Sequence, residues 1–168
     1  MTLPATIHHP AILGSRALAW ADEAACADWA QGLAAQTGIT RAYIELHGPL
    51  GAGKTTFVRH LLRALGVAGR IKSPTYAVME PHSLPDGGAV AHFDFYRFAD
   101  PREWEDAGFR DVFASTGLKI AEWPERAAGL LPVPDLRLAI EPLDGDQRQV
   151  LATAHTPLGT ALLGPLPA

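Results

Sequence analysis

The sequence predicts a single α/β domain with a central, mainly parallel sheet and added antiparallel strands. A chain of 168 residues is long enough for one core and leaves little room for a second domain. A mainly apolar run at 43–46 predicts a strand, and residues 56–65 have the spacing of an amphipathic helix. A glycine-rich loop separates the two, and this order of elements is typical of parallel α/β sheets. Turn residues at 81–88 and 144–146 lie between apolar runs and predict two antiparallel hairpins.

Composition is typical of a soluble globular protein and excludes several other classes. The apolar share of 48% and the charged share of 19% are ordinary for such a domain. A net charge of −4 provides no broad basic surface for nucleic acid or anionic membrane. Cys26 is the one cysteine, which excludes an internal disulfide, and we expect it to pack on an early helix. Because the sequence has neither a secretory signal nor an apolar run of membrane-spanning length, it predicts a cytoplasmic protein without membrane attachment.

Three segments are distinguished along the chain. We expect a loosely structured N-terminal extension at 1–15, the domain itself at 16–155, and a flexible tail at 156–168, which is rich in proline and glycine. Asp22 is placed to cap a helix from residue 23 to about residue 35. The other predicted elements are strands at 16–20, 76–80, 89–96 and 118–121, a capped helix starting at Asp100-Pro101 and ending at Gly108, a helical stretch at 109–113, and hairpin strands at 135–143 and 147–155.

The most specific motif is Gly48-Pro49-Leu50-Gly51-Ala52-Gly53-Lys54-Thr55, which fits the pattern G-x-x-x-x-G-K-[ST] of a phosphate-binding P-loop. Glycines let backbone amides approach a phosphate chain, and the helix that follows directs the positive end of its dipole at the same anion. In this pattern Lys54 reaches the β- and γ-phosphates and the Thr55 hydroxyl holds Mg²⁺. The motif therefore predicts a P-loop NTPase domain. A glycine-rich turn that binds nothing is disfavoured by the strand before the loop and the helix after it.

Two carboxylates are candidates for the catalytic part of such a site. Hydrolysis requires an acid to orient the magnesium shell and a group to position the attacking water. Glu122 follows the mainly apolar run at 118–121, as expected for a central strand beside the P-loop. Asp94 lies in a strand that also carries His92 and Tyr96, an unusual set for simple core packing. The alternative for either acid is a solvated turn residue or a helix cap.

Ser73-Pro74-Thr75 forms a further candidate segment. The proline stiffens a loop that carries two hydroxyl groups, and nucleotide switches use segments of this kind to sense a γ-phosphate. Taken alone, the same three residues indicate only a turn.

Five segments together resemble the bacterial TsaE (YjeE) family of P-loop ATPases. They are GPLGAGKTTF at 48–57, KSPTY at 72–76, HFDFYR at 92–97, DPREW at 100–104 and EWPE at 122–125. The segments occur in the family's order and at similar spacing, and the likeness covers roughly residues 20–150. The P-loop alone is shared with many NTPases, whereas the five segments together are specific.

The resemblance implies a fold and a set of catalytic roles. The fold is a single P-loop α/β domain with extra antiparallel strands. Lys54, Asp94 and Glu122 would be the catalytic residues. Thr55 and Glu122 would bind Mg²⁺, Lys54 and the loop amides would bind the phosphates of ATP, and Asp94 would act near the attacking water.

The resemblance also implies a wider nucleotide site. Ser73 and Thr75 would belong to a switch that senses the nucleotide, and Tyr96, Arg97 and Trp123 would support it. The implied nucleotide-binding residues are Asp22, Glu23, Gly48, Pro49, Leu50, Gly51, Ala52, Gly53, Lys54, Thr55, Thr56, Ser73, Thr75, Trp123 and Arg148.

A partner complex follows from the same resemblance. In this family ATP hydrolysis is coupled to a complex of TsaB and TsaD, which transfers threonylcarbamoyl to the tRNA adenosine next to the anticodon. The ATPase does not perform that chemistry itself, and the acidic net charge argues against direct contact with tRNA.

The sequence bears on three other functions that a P-loop domain can have. A GTPase would use an N-K-x-D motif, and the sequence contains no asparagine. A small-molecule kinase would need an arginine-rich lid, and the arginines at 97, 102 and 110 are interrupted by acidic residues. A non-catalytic ATP-binding assembly factor remains open, because sequence separates it poorly from an ATPase that is weak alone.

Overall fold

The computed structural model describes residues 10–74 and 76–164. In this part of the chain, seven strands form one sheet: β1 (Gly14–Trp20), β2 (Tyr43–His47), β3 (Met79–Ser83), β4 (Ala89–Asp94), β5 (Leu118–Glu122), β6 (Leu136–Pro142) and β7 (Arg148–Ala154). The α-helices of the same residues are α1 (Glu23–Ala34), α2 (Lys54–Ala64), α3 (Pro101–Asp106), α4 (Phe109–Ala114) and α5 (Pro157–Leu163). Short 3₁₀ helices span Ile39–Arg41 and Pro124–Ala127.

The sheet has a parallel centre and antiparallel flanks, in the order β1-β7-β6-β2-β5-β4-β3. β2 pairs in parallel with β5 and β6, and β4 pairs in parallel with β5. The β1–β7, β6–β7 and β3–β4 pairs are antiparallel. The structure thus confirms the predicted α/β fold with its added hairpins. Because parallel strands end at the same edge of a sheet, the carboxyl ends of β2, β4 and β5 meet beside the loop that follows β2.

Alternating apolar side chains build a core on each face of the sheet. On one face, Ile44, Leu46 and Ile120 pack in the same cluster as Leu33 of α1 and Phe57 of α2. The other face is covered by the aromatic residues Phe93, Phe95, Phe98, Trp104, Phe109 and Phe113, several of them from α3 and α4. The two cores hold the strands from both sides and so position the strand ends that carry the polar residues of the site.

Capping residues start two of the helices as the sequence predicts. Asp22 accepts a hydrogen bond from the amide of Ala25 at 2.9 Å, at the start of α1. Asp100 and Glu103 form the reciprocal capping box of α3, with proline in its first turn. Local chemistry is sufficient to define these helix starts.

The first hairpin differs from the prediction in its boundaries. β3 pairs antiparallel with β4 as expected, but it spans Met79–Ser83 instead of residues 76–80. Val78 has a φ of +64°, so an extended strand begins only after it. Pro81 lies inside the strand instead of in the turn, and it is tolerated there because β3 is an edge of the sheet.

The last residues of the predicted N-terminal extension belong to a strand. β1 begins at Gly14, two residues before the predicted start, and pairs with β7 along its whole length. The expectation of a loose segment is therefore wrong for Gly14 and Ser15, because the ladder to β7 continues to these residues. Residues 1–9 of that extension lie outside the described residues.

The tail predicted to be flexible contains a packed helix. Residues 157–163 form α5, whose last two leucines are buried. The hydroxyl of Thr156 accepts a hydrogen bond from the amide of Gly159 at 3.1 Å and donates one to Asp135 at 2.6 Å. The prediction is wrong for this helix because a threonine cap and two buried leucines outweigh the proline and glycine content. Residues 165–168 lie outside the described part of the chain.

The packing of α5 is testable at Gly159. A Cβ at this position would lie 1.9 Å from the carbonyl oxygen of Asp135. We expect Gly159→Ala to lower the free energy of unfolding by about 1–3 kcal/mol in urea titrations, because the helix must shift. Gly164→Ala is the matched control, since the nearest atom to its added Cβ is 3.4 Å away. Equal stabilities of the two variants would contradict the close packing of α5.

Candidate functional site

The loop at 48–53 joins the end of β2 to the start of α2 and has no room for a side chain at its first residue. A Cβ at Gly48 would lie 2.4 Å from the carbonyl oxygen of Ile140. Gly53, the N-cap of α2, has a φ of +103°, which favours glycine. A helix leaves its first backbone amides without partners inside the helix, and it presents them with the positive end of its dipole. The loop and the first turn of α2 therefore form a site suited to an anion.

Lys54, the first residue of α2, is only 5% exposed. Its Nζ donates hydrogen bonds to the carbonyl oxygens of Gly48 and Pro49, the second at 2.9 Å. The same atom lies 4.3 Å from the ring centroid of Trp123, within range of a cation–π contact. Burial lowers the pKa of Lys54, and nearby carboxylates, Glu122 foremost, oppose that shift. Carbonyl groups, an aromatic ring and acids thus hold this side chain at the loop.

Glu122 ends β5 and is 2% exposed. Its Oε1 accepts a hydrogen bond from the hydroxyl of Thr55 at 2.7 Å. Its Oε2 lies 2.6 Å from Nε2 of His92, which is fully buried. A buried carboxylate is costly unless hydrogen bonds satisfy its oxygens, and these two partners do so. The structure therefore brings Thr55 and Glu122 together at the first turn of α2.

Asp94 ends β4 directly opposite Glu122 in the register of the two parallel strands. Its Oδ2 accepts a hydrogen bond from the hydroxyl of Ser73 at 2.5 Å, and its Oδ1 accepts one from the amide of Tyr96 at 3.0 Å. The segment before β3 is thus tied to the carboxylate at the end of β4. Thr75, predicted to act with Ser73, lies outside the described residues.

Trp123 follows Glu122 with a φ of +55° and a ψ of +46°. A non-glycine residue in this left-handed region is strained and persists only when its surroundings hold it there. The ring contacts Nζ of Lys54 and also the ring of Tyr96, whose centroid is 4.9 Å away. The side chain predicted to support the site therefore contacts the lysine of the loop.

Two clefts meet across the loop. The larger, of about 320 Å³, is lined by Leu50, Gly51, Ala52, Gly53, Lys54, Thr55, Thr56, Ser73, Asp94, Glu122, Trp123 and Arg148. The smaller, of about 170 Å³, is lined by Trp20, Asp22, Glu23, Cys26, Ala52, Gly53, Thr56, Asp146 and Arg148. Nε of Arg148 donates a hydrogen bond to the carbonyl oxygen of Ala52 at 2.8 Å. This arginine lies where the two clefts join.

Most of the predicted site residues line one of these clefts. Gly48 and Pro49 contribute carbonyl oxygens to Lys54 instead. Arg97 stacks over Tyr76, 5.1 Å from its ring centroid. The sequence did not single out Trp20 or Asp146 for the smaller cleft, or the hydrogen bond of His92 to Glu122. The sequence indicates a special role for His92 only because a polar residue lies inside an otherwise mainly apolar strand. It does not show which side chain the histidine contacts.

None of the helices in the described part of the chain is long and apolar enough to cross a membrane.

Comparison with known proteins identifies the family. The family model for Threonylcarbamoyl adenosine biosynthesis protein TsaE matches residues 20–150, which is more than half of the chain. The chain belongs to the TsaE family.

Individual TsaE proteins show the same likeness. The tRNA threonylcarbamoyladenosine biosynthesis protein TsaE of Haemophilus influenzae is 41% identical over 120 residues, which cover 71% of this chain and 75% of the relative. The protein of the same name from Bacillus subtilis is 34% identical over 114 residues, which cover 66% of this chain and 68% of the relative. The crystal structure of YdiB from Bacillus subtilis has a TM-score of 0.72 at 23% identity and covers 89% of this chain and 91% of that one. At that identity the structural match supports the fold alone.

Burial of the single thiol gives a chemical test of the smaller cleft. Burial, with a smaller contribution from Glu23, raises the pKa of Cys26 to about 12. A raised pKa leaves less reactive thiolate at a given pH, so we expect the native chain at pH 8 to react with a thiol reagent at least about 100-fold more slowly than the urea-unfolded chain. The native rate should rise as the pH approaches 12. Comparable rates for native and unfolded chains at pH 8 would contradict this environment for Cys26.

Proposed function

We propose that the chain is a Mg²⁺-dependent ATPase that acts in the threonylcarbamoyladenosine modification of tRNA. One observation carries the ATPase part: the hydroxyl of Thr55 and the carboxylates of Glu122 and Asp94 converge at the first turn of the helix that follows the P-loop. The names of the relatives from Haemophilus influenzae and Bacillus subtilis support the pathway.

The residues at this point suit Mg²⁺. A hydroxyl and a carboxylate are the hard oxygen donors that this ion prefers, and the ion usually takes few protein ligands so that phosphate oxygens complete its shell. Thr55 and Glu122, whose oxygens are 2.7 Å apart, supply such a pair. When bound, Mg²⁺ offsets the negative charge of the β- and γ-phosphates. Lys54 adds a second positive charge at the loop.

The two clefts suit the two ends of ATP. The larger cleft contains Lys54 and the first turn of α2, which favour the triphosphate. The smaller cleft contains Asp22 and Glu23, and carboxylates are suitable acceptors for ribose hydroxyls or the adenine amino group. Arg148 lines both clefts, and we assign it to the phosphate chain. The absence of an N-K-x-D motif from the sequence favours adenine over guanine.

Asp94 would orient the attacking water and accept its proton. Hydrogen bonds from Ser73 and from the amide of Tyr96 hold its carboxylate beside Glu122. The water oxygen forms a bond to the γ-phosphorus while the bond from that phosphorus to the β–γ bridging oxygen breaks. The proton of the water passes to the carboxylate, and ADP and inorganic phosphate leave. Ser73 also links the carboxylate to the segment that we expect to sense the γ-phosphate.

Coupling to a TsaB–TsaD complex completes the proposal. A tRNA-modifying transfer needs its own catalytic centre, and we assign that centre to the partner complex. The net charge of −4 favours a protein partner over direct binding of tRNA.

The first test measures ATP turnover with and without a purified TsaB–TsaD complex. We expect the complex to stimulate release of inorganic phosphate and to co-elute with the chain. Lys54→Ala should lower stimulated turnover at least about 100-fold, because it removes a charge that stabilises the transferring phosphoryl group. Arg102→Ala is the control. It also removes one positive charge, but the Arg102 side chain is 84% exposed.

The outcomes separate the rival functions. A partner complex that neither stimulates turnover nor co-elutes would contradict the pathway assignment. Equal turnover in wild type and Lys54→Ala would indicate a non-catalytic assembly factor. Phosphorylation of added metabolites, in place of phosphate release, would indicate a kinase.

A second test concerns Asp94. We expect Asp94→Asn to lower kcat by about 10²–10³-fold while the affinity for ATP changes by no more than about threefold, because the amide cannot accept the proton. Asp106→Asn, at an exposed position of α3, controls for the loss of one negative charge. Turnover of Asp94→Asn equal to that of Asp106→Asn would exclude Asp94 from the chemistry.

A further inference from the structure

A buried histidine contacts Glu122, the proposed metal ligand, on the side of the sheet interior. His92 belongs to β4, two residues before Asp94, and its side chain is fully buried. Nε2 of the ring lies 2.6 Å from Oε2 of Glu122. Neither the P-loop motif nor the two clefts include this residue.

The ring makes this hydrogen bond at a cost that ordinary core packing would avoid. Nδ1 of His92 is buried and has no hydrogen-bond partner among the described residues. A buried polar atom without a partner is unfavourable, and an apolar side chain in the same place would remove the penalty. A neutral ring with its proton on Nε2 donates to Glu122 and leaves only an acceptor lone pair on Nδ1. Within residues 10–74 and 76–164, the contact with Glu122 is therefore the hydrogen bond that the ring makes.

The two oxygens of Glu122 have different partners. Oε1 accepts from the hydroxyl of Thr55 at 2.7 Å and faces the loop, while Oε2 is held by His92 from inside the sheet. A carboxylate held on one oxygen cannot turn that oxygen toward a ligand without losing a buried hydrogen bond. His92 thus determines which oxygen of Glu122 is presented at the first turn of α2.

We propose that His92 is a positioning residue for the Mg²⁺ site: it orients the carboxylate of Glu122 toward the ion and does not touch the nucleotide. This inference rests on the proposed function, because it assigns Mg²⁺ to Thr55 and Glu122. Residues that hydrogen-bond to a metal ligand orient it, and their loss typically lowers metal affinity by about 10–100-fold.

The test compares three substitutions of His92 in the full chain. Gln places an amide N–H as many bonds from Cβ as Nε2 of histidine, so His92→Gln can keep the hydrogen bond. Asn is one carbon shorter and Leu has no donor, so His92→Asn and His92→Leu lose it. Val90→Ala is the control for damage to the strand, because Val90 is buried on the same face of β4 two residues away.

The measurement is equilibrium binding of fluorescent ADP as Mg²⁺ is titrated, with a parallel titration in EDTA. We expect His92→Leu and His92→Asn to raise the Mg²⁺ concentration at half-saturation by about 10-fold or more, as for other residues that orient metal ligands. His92→Gln and Val90→Ala should stay within about threefold of wild type, and affinity in EDTA should be unchanged in all four variants. Thermal unfolding of each variant identifies those that fold. If His92→Leu does not fold, the comparison of His92→Gln with His92→Asn is decisive.

Several results would overturn the inference. These are an unchanged Mg²⁺ midpoint in His92→Asn, an equal shift in His92→Gln and His92→Asn, or a shift in Val90→Ala as large as that in His92→Asn. A wild-type chain whose ADP binding does not respond to Mg²⁺ would instead contradict the proposed function itself.

Discussion

The hydrogen bond between Thr55 and Glu122 joins the two parts of the molecule on which the site depends. Thr55 lies in the first turn of α2, and Glu122 lies at the end of the strand beside β2, so the 2.7 Å contact ties the P-loop to the neighbouring strand. β5 also pairs in parallel with β4, which places Asp94 opposite Glu122. The parallel order of three strands thus brings the loop and both acids to one edge of the sheet. The β3–β4 hairpin contributes Asp94 to this edge, and the β6–β7 hairpin contributes Arg148.

This arrangement places polar groups inside a protein that is otherwise well packed. Lys54, His92 and Glu122 are among the few buried polar or charged residues that the structure describes. Each is unfavourable in isolation, because burial without partners costs free energy. Trp123 and Val78 add backbone strain at the ends of β5 and of the segment before β3. The apolar cores on both faces of the sheet supply the free energy of folding that offsets these unfavourable buried groups and strained residues. Unfavourable features of this kind are typical of functional sites.

Local patterns predicted much of the fold and the site, and long-range pairing explains the rest. The glycine-rich loop between a strand and a helix, the caps at Asp22 and Asp100, and the end of a strand at Glu122 are signals carried by a few neighbouring residues, and the structure has these elements as predicted. The start of β3 and the order of α5 depend on contacts across the chain, such as the hydrogen bond from Thr156 to Asp135. His92 belongs to the same class. Its type is visible in the sequence, but its partner is 30 residues away, and only the register of two strands brings them together.

The different surroundings of Glu122 and Asp94 support different roles for the two acids. Glu122 is almost wholly buried, and both of its oxygens are held by side chains, which suits a ligand that must present one oxygen in a fixed direction. Asp94 is only partly buried and is held by the hydroxyl of Ser73 and by a backbone amide. A carboxylate that is accessible from the cleft is able to accept a proton and return it to water. Each oxygen of Glu122 already has a hydrogen-bond partner, so a proton on either oxygen would disturb one of these bonds. If either acid takes the proton in ATP hydrolysis, its environment favours Asp94.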